Sequence, residues 1–364
     1  MKKIFGKILA VTMSFMLVLS LTACSSSGDG GSGDSKKGGK IGVAMPTKDL
    51  QRWTQDGENM KKELEAAGYE VDLQYANNDI ATQVSQIENM ITGGCELLVI
   101  ASIDGGSLST VLAEAKTEEI PVIAYDRLIM DTDAISYYAT FDNYKVGQIQ
   151  GQYIVDTLDL DNVDGPFNLE LFTGSSDDNN CHFFFGGAMD ILQKYIDNGK
   201  LVVQSGQTKF EEVATPNWST EEAQKRMDNI LTANYTGDKK VDVVLSSNDS
   251  VANGITNALK AAGYTKDNFP ILTGQDCDIT SVKNILAGTQ SMSVFKDTRT
   301  LASQVVKMVD QTMAGETVDV NDEKSYNNGT GVIPTYLCEP VFADKDNYKE
   351  LLVDSGYYTE DELK

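Results

Sequence analysis

From Ile41 onward one unit recurs, and it leaves the chain few folds to choose from. A short apolar run ends in a polar break, and residues at helical spacing follow before the next apolar run. Ile41-Gly-Val-Ala-Met-Pro46 is the first strand, and Arg52 and Trp53 fall where it hands over to a helix expected over 56–67. That helix carries Met60, Leu64 and Ala67 on one face and stops at Gly68, where glycine supplies the left-handed position after a helix. Strand 69–75, helix 80–91, strand 96–100, helix 108–116 and strand 120–125 follow. Such βα alternation means a parallel, doubly wound sheet, and in these sheets ligands sit outside the carboxyl ends of the strands.

After strand 137–141 the pattern starts over at Asp142-Asn143. Helix 144–158, strands 167–172 and 201–204, helix 220–232, strand 241–245, helix 251–262 and strand 270–273 make a second set. Leu259-Lys-Ala-Ala-Gly-Tyr264 echoes Leu64-Glu-Ala-Ala-Gly-Tyr69, and Arg226-Met-Asp-Asn-Ile230 echoes Gln86-Ile-Glu-Asn-Met90. Two lobes of one plan are expected, as the 364 residues allow at roughly 150 residues per domain. Strand 292–295, helix 297–313 and a tail containing Tyr and Pro are long enough to cross back between them.

The residues that close the apolar runs are the candidates for chemistry. They are Arg52 and Trp53, Asp104, Asp126 and Arg127, Asp142 and Asn143, Asp177-Asp-Asn-Asn180, Asn248-Asp249, Gln275-Asp276 and Lys296, with Trp218 at a loop-to-helix entry. Asp and Asn at such places also cap helices, and for Asn143 and Asp249 that role is at least as good an explanation. Capping does not explain the adjacent acid and base of Asp126-Arg127, nor two tryptophans placed at entries. Carboxylates and amides as acceptors, with Arg, Lys and Asn as donors, can satisfy neighbouring hydroxyls of a polyol, and an indole offers a flat apolar face to its C–H groups. The same charges would also suit an amino acid or peptide.

Lys2, Lys3 and Lys7 precede an apolar run, 8–21, that is too short for a membrane span of ~20 residues and fits a secretion signal. It ends in Leu21-Thr-Ala-Cys24, which resembles a bacterial lipoprotein signal, in which the cysteine is lipidated and becomes the new N-terminus. Residues 25–39 are nearly all Ser, Gly, Asp and Lys, the composition of a flexible tether. The formal net charge of −24 repels phosphate backbones and anionic lipid, which excludes nucleic acid as a partner and limits membrane contact to the anchor. Cys95, Cys181, Cys277 and Cys338 form no CxxC pair, and Cys95 is expected as a buried free thiol.

Gly42-Val-Ala-Met-Pro46 with Arg52-Trp53, Ser85-Gln-Ile-Glu-Asn-Met90, Leu98-Val-Ile-Ala-Ser-Ile-Asp-Gly105, Val122-Ile-Ala-Tyr-Asp-Arg127, Tyr138-Ala-Thr-Phe-Asp-Asn143, Gly174-Ser-Ser-Asp-Asp-Asn-Asn180, Thr273-Gly-Gln-Asp276 and Phe295-Lys-Asp-Thr298 resemble the periplasmic multiple-sugar-binding proteins. These belong to the ribose-, arabinose- and galactose-binding group, the type I solute-binding proteins of ABC transporters, and the resemblance runs from Lys40 to Tyr348. It implies an α/β, type I periplasmic-binding-protein fold of two doubly wound lobes joined by a three-crossing hinge. The expected division is a signal peptide over 1–23, a tether over 24–39, an N-terminal lobe of 40–141 plus 297–331, and a C-terminal lobe of 142–296 plus 332–364. The resemblance also implies a lipid-anchored, extracytoplasmic, monomeric receptor that passes a monosaccharide, an aldopentose or aldohexose, to an ABC-transporter permease and its ATPase. The implied ligand residues are Arg52, Trp53, Asp126, Arg127, Asn179, Asn180, Trp218, Asn248, Asp276 and Lys296, with Cys24 lipidated and no cofactor or metal. The chain departs from the group at Ser247-Asn-Asp249 and at His182, which leaves the sugar open. A nucleoside or signalling furanose is the alternative ligand, and a chemoreceptor or sensor kinase the alternative reader.

Catalysis finds little support. The only histidine, His182, has no serine or cysteine partner by motif, and no GxSxG occurs. Asp159-Leu-Asp-Asn-Val-Asp-Gly165 falls short of a calcium loop, because Val163 takes a ligand position and the glycine comes one place late. Sugar-responsive repressors share the two-lobe plan but begin with a DNA-binding helix-turn-helix, a place held here by the secretion signal and tether.

Overall fold

The structure is a computed structural model and describes residues 38–364. The expectations for the signal peptide, for Cys24 and for most of the tether therefore lie outside the described residues. In order the elements are β1 (Lys40–Met45), α1 (Gln51–Ala66), β2 (Glu70–Tyr75), α2 (Ile80–Thr92), β3 (Leu97–Ile100), α3 (Ser109–Thr117), β4 (Val122–Tyr125), β5 (Tyr137–Phe141), α4 (Asn143–Leu158), β6 (Phe167–Phe172), α5 (Asn180–Asp197), β7 (Leu201–Val203), α6 (Phe210–Val213), α7 (Thr220–Asn234), β8 (Val243–Ser246), α8 (Asp249–Ala261), β9 (Ile271–Leu272), α9 (Ile279–Leu286), β10 (Met292–Phe295), α10 (Thr298–Met313), β11 (Thr335–Cys338) and β12 (Val341–Asp344).

The first sheet is wholly parallel in the order β11-β5-β4-β3-β1-β2, and the second runs β7-β6-β8-β9, also parallel. Val294 N–H to the Gly274 carbonyl (2.9 Å) and Asp276 N–H to the Val294 carbonyl (2.8 Å) join β10 to the end of the second sheet, and β12 pairs antiparallel beyond it. Helices cover both faces of each sheet, so β3, β4 and β8 are buried at every position and read in sequence as unbroken apolar runs rather than alternating ones. On one face of the first sheet Ile41, Val43 and Val99 pack with Met60 and Leu64 of α1 and with Leu301, Val305 and Met308 of α10, which holds α10 on the N-terminal lobe.

The tail does not all belong to the C-terminal lobe, as residues 332–364 had been expected to. Thr335–Cys338 pairs with β5 and closes the edge of the first sheet, and only from β12 does the chain lie with the second. An isolated four-residue strand has no local sequence signature for which sheet it joins. The lobes are thus linked at three places, between β5 and α4, between β10 and α10, and between β11 and β12; the first and third touch where Asp142 N–H donates to the Cys338 carbonyl at 3.0 Å.

Two further differences have physical causes. Helix α5 was not anticipated, because Gly186 and Gly187 break its apolar period. Gly187 is there for contact: a Cβ on it would lie 2.1 Å from the Tyr144 carbonyl oxygen of α4, and one on Gly147 of α4 would lie 2.0 Å from that of Phe184, so the two helices touch through backbone. The echo of Leu64–Tyr69 in Leu259–Tyr264 is a shared way of ending a helix, with Gly68 at φ +97° and Gly263 at φ +88°, but the two helices follow strands in different sheet positions. The echo of 86–90 in 226–230 joins equivalent helices, α2 and α7, each leading into the central strand beside the first of its lobe.

Candidate functional site

Arg52 and Trp53 lie in the first turn of α1, directly above the end of β1, and both are buried. Arg52 is fixed within its own helix, donating from Nε (2.9 Å) and Nη2 (2.8 Å) to Asp56 Oδ2, one turn on. The other Asp56 oxygen accepts the Tyr125 hydroxyl from the end of β4 at 2.5 Å. So held, Arg52 reaches Asp126 Oδ2 at 2.9 Å in its own lobe and Asp276 Oδ1 at 3.4 Å in the other. Lys296, on the crossing after β10, lies 3.1 Å from Asp276 Oδ1 and 3.7 Å from Asp126 Oδ2. One carboxylate from each lobe thus bridges the same two cations.

Asp126 follows β4 in a three-residue turn closed by Arg127 N–H onto the Tyr125 carbonyl (2.6 Å), and its φ of +58° lies in the left-handed region. Such a conformation costs about 1–3 kcal/mol and persists only where neighbours impose it. Here the Asp126 carbonyl accepts from the Tyr138 hydroxyl (2.6 Å), the Thr140 hydroxyl (2.9 Å) and the Asn180 amide (2.8 Å), and its N–H donates to Ala139 (2.8 Å). Burial alone would raise its carboxyl pKa, but Arg52, Lys296 and Arg127 outweigh burial and leave it below the ordinary carboxylate range. At neutral pH the side chain is therefore an ionised acceptor. Asp178, which meets Arg127 Nε across the cleft at 2.9 Å, goes the other way, since burial outweighs the cation.

Arg127 also donates from Nη1 to the carbonyls of Ser102 and Ile103, each at 3.1 Å. Its guanidinium lies 5.1 Å from the Trp53 ring centroid, and that of Arg52 lies 4.4 Å away, both within cation–π range. From the C-terminal lobe, Trp218 lies against Gly174 so closely that a Cβ there would be 2.2 Å from the indole, and it meets Phe184 edge-on at 6.3 Å. Trp218 and Asn217 both have positive φ. Asn248 caps α8 by accepting from Val251 N–H at 3.0 Å with Oδ1, which leaves its NH2 uncommitted to the cap.

These side chains surround a cavity lined by Leu50, Arg52, Trp53, Asp126, Arg127, Asp178, Asn180, Phe184, Trp218, Asn248, Gln275, Asp276 and Lys296. Of the ten ligand residues expected from sequence, nine are in that wall. Asn179 is not; it is the half-buried residue before α5, one place short of the helix face that Asn180 and Phe184 present. Asp178 and Gln275 stand among the strand-end candidates though not among those ten, whereas Leu50 and Phe184 carried no signal, being ordinary apolar residues until the chain folds. Asn143 and Asp249 prove structural. Asn143 donates to Asn180 Oδ1 at 3.0 Å, and Asp249 is wholly buried among Ser293, Gln290 and the Asp278 N–H. Cys95, Cys181, Cys277 and Cys338 are buried free thiols, and among the described residues no side-chain cluster suited to a metal occurs.

Four polar atoms of the wall, Trp53 Nε1, Trp218 Nε1, Gln275 Oε1 and Asp126 Oδ2, are buried and have no hydrogen-bond partner, Asp126 Oδ2 keeping only its ion-pair contacts. Buried polar groups are rarely left so, and four around one cavity point to a ligand with both donors and acceptors. Carboxylates, amides and cations line the same space, and two indoles add flat faces.

A family model described as periplasmic binding protein domain matches residues 41–317. The chain is 54% identical over 328 residues to the multiple sugar-binding periplasmic receptor ChvE of Rhizobium radiobacter, covering 90% of this chain and 92% of the relative. It is 38% identical over 324 residues to the D-xylose-binding periplasmic protein of Escherichia coli, covering 89% and 92%. Among solved structures, an ABC transporter solute binding protein from Clostridium phytofermentans with bound β-D-glucose is 67% identical, with a TM-score of 0.87 over 89% of this chain and all of the other. A carbohydrate transporter solute binding protein from Chloroflexus aurantiacus in complex with D-glucose is 33% identical, with a TM-score of 0.79 over 88% and 97%.

Proposed function

We propose that this chain, which belongs to the periplasmic binding protein family, captures one monosaccharide between its lobes and delivers it to an ABC-transporter permease and its ATPase. It is a binding protein and not an enzyme, in keeping with the relatives it matches. Glucose and xylose are the first sugars to try, because two similar structures carry glucose and two lines of relatives are named for several sugars and for xylose.

The observation that carries this reading is the set of unpartnered indole N–H groups and the Gln275 carbonyl around a cavity lined by both acids and bases. A pyranose has hydroxyls that donate and accept at once, with apolar C–H faces between them. Asp126 and Asp276 would accept from hydroxyls, Arg52, Arg127, Lys296, Asn180 and Asn248 would donate, and Trp53 and Trp218 would cover the ring. Asn179 stands outside this set. The lobes, 40–141 with 297–338 and 142–296 with the tail from β12, would close about the three crossings on binding. Lipidation at Cys24 would hold the receptor at the outer face of the cell membrane, with the Cys24→Ala protein released from the membrane fraction.

Thermal unfolding with a panel of pentoses and hexoses tests the reading. A sugar at 100 times its Kd adds about 2.7 kcal/mol of stability, which at roughly 2–4 °C per kcal/mol is a shift of several degrees. A melting temperature unmoved by every monosaccharide, but raised by a nucleoside or a furanose signal, would replace the sugar with that ligand.

A further inference from the structure

After β12 the chain does not end at the surface of its own lobe. A turn of π-helix, Lys349–Asp354, carries it to Tyr357 and Tyr358, which pack beside the cleft against both lobes. The Tyr358 hydroxyl accepts from Gln51 Nε2 (2.7 Å) and Gln55 Nε2 (3.3 Å) of α1, and it donates to the Cys277 carbonyl (2.9 Å), the residue after Asp276. Gln51 Oε1 in turn accepts from Ile279 N–H at 3.1 Å. The Tyr357 hydroxyl lies 3.2 Å from Gln55 Oε1 and 3.2 Å from Thr298 Oγ1, and its ring meets Phe295 edge-on at 4.8 Å. Tyr358 is buried. None of these side chains lines the cavity, yet Gln51 is next to Arg52 and Cys277 next to Asp276, so they join the two ligand-bearing segments from outside.

We propose that the C-terminal strap at Tyr357 and Tyr358 is a latch that acts without touching sugar, fastening α1 to the 276–279 segment when the lobes shut. This inference rests on the receptor reading above. A contact made only in the closed form raises the fraction of molecules competent to hold ligand, and apparent affinity scales with that fraction. The latch therefore tightens binding of every sugar by one common factor, whereas the cavity residues distinguish sugars. Each hydrogen bond is exchanged for one to water on opening, so one bond corresponds to about a 2- to 10-fold change.

Calorimetry on the full chain with glucose, xylose and their deoxy analogues tests it, using Tyr358→Phe, which keeps the ring, Gln51→Ala, and the double variant. Sugar binding by the wild type tests the receptor reading by itself; a wild type that binds none of them ends that reading and the latch with it. Given binding, each single variant removes two bonds between the lobes and should raise Kd about 4- to 100-fold, by the same factor for every ligand. Because both variants break one shared bond, the double variant should lose less than the product of the two. A tail that only adds stability would lower the melting temperature and leave Kd unchanged, which overturns the latch. So does a loss that varies from sugar to sugar.

Discussion

Asp126→Asn isolates the charge at the centre of the cleft without disturbing what holds it there. Asparagine tolerates left-handed φ well, so the turn at +58° is kept, and the three hydrogen bonds to the backbone carbonyl of residue 126 do not involve the side chain. The magnitude depends on what the lost charge leaves behind. Arg52 retains Asp56 at 2.8 Å and Asp276 at 3.4 Å, and Lys296 retains Asp276 at 3.1 Å, so no buried cation is orphaned. The cost of about 3–5 kcal/mol for breaking a buried ion pair therefore does not apply in full. What is lost is a charge-assisted hydrogen bond to a sugar hydroxyl, about 1.5–3 kcal/mol, or roughly 10- to 150-fold in Kd. Calorimetry with the parent sugar and each monodeoxy analogue reads this directly. One analogue, lacking the hydroxyl that Asp126 accepts from, should bind the variant and the wild type almost equally, while the others show the full loss. An equal loss for every analogue, or no loss for the parent sugar, would refute the placement of Asp126 against the ligand.

Trp53→Ala should weaken every sugar that fits, since it removes roughly 0.5–1.5 kcal/mol of stacking beyond buried area and frees the Arg52 and Arg127 guanidiniums that lie over the ring; calorimetry showing a loss confined to one sugar would contradict it. Gly174→Ala should raise Kd at least about tenfold, because its Cβ would lie 2.2 Å from the Trp218 indole and must drive the ring from its place; unchanged affinity and fluorescence would show that the ring is not held there. Burial, with Asp276 nearby, pushes the Asp278 carboxyl up to about 7 against the pull of Arg52 and Lys296. The folded chain thus holds a proton there that the unfolded chain releases near 3.8, so this contribution to stability is present at low pH and is lost as pH rises through 7. The melting temperature of the sugar-free protein should fall between about pH 4 and 7, and Asp278→Asn should make that fall shallower; an equally steep fall in the variant would show that the proton sits elsewhere, as on the buried neighbour Asp249, whose carboxyl is also raised.

The parallel sheets were legible because buried strands under two helical layers must be apolar throughout, and glycine must end helices that turn left-handed, as at Gly68 and Gly263. The charged wall was legible for a related reason. A carboxylate, an arginine and a lysine immediately after apolar runs have nowhere to go but the mouth of the sheet, where Asp126, Arg127, Asp276 and Lys296 are found. Sequence could not distinguish Asn179 from Asn180, since the choice depends on where α5 begins and which face it turns inward. Nor could it show that β11 closes the first sheet, because that pairing joins Thr335–Cys338 to residues nearly two hundred positions earlier. The tail tyrosines looked like a crossing segment, and their partners on α1 became visible only with the lobes side by side.

The chain has two tryptophans, Trp53 and Trp218, and both are in the wall of the cavity, one from each lobe. Intrinsic tryptophan fluorescence is therefore a direct report on the cleft, with no background from elsewhere in the molecule. Titration with D-glucose and D-xylose should change intensity and emission maximum in a saturable way, with at least one of them binding, and Asp126→Asn should shift the midpoint to higher sugar without abolishing the signal. An emission spectrum that no pentose or hexose moves, in protein that unfolds cooperatively, would contradict the claim that a monosaccharide is held between the lobes.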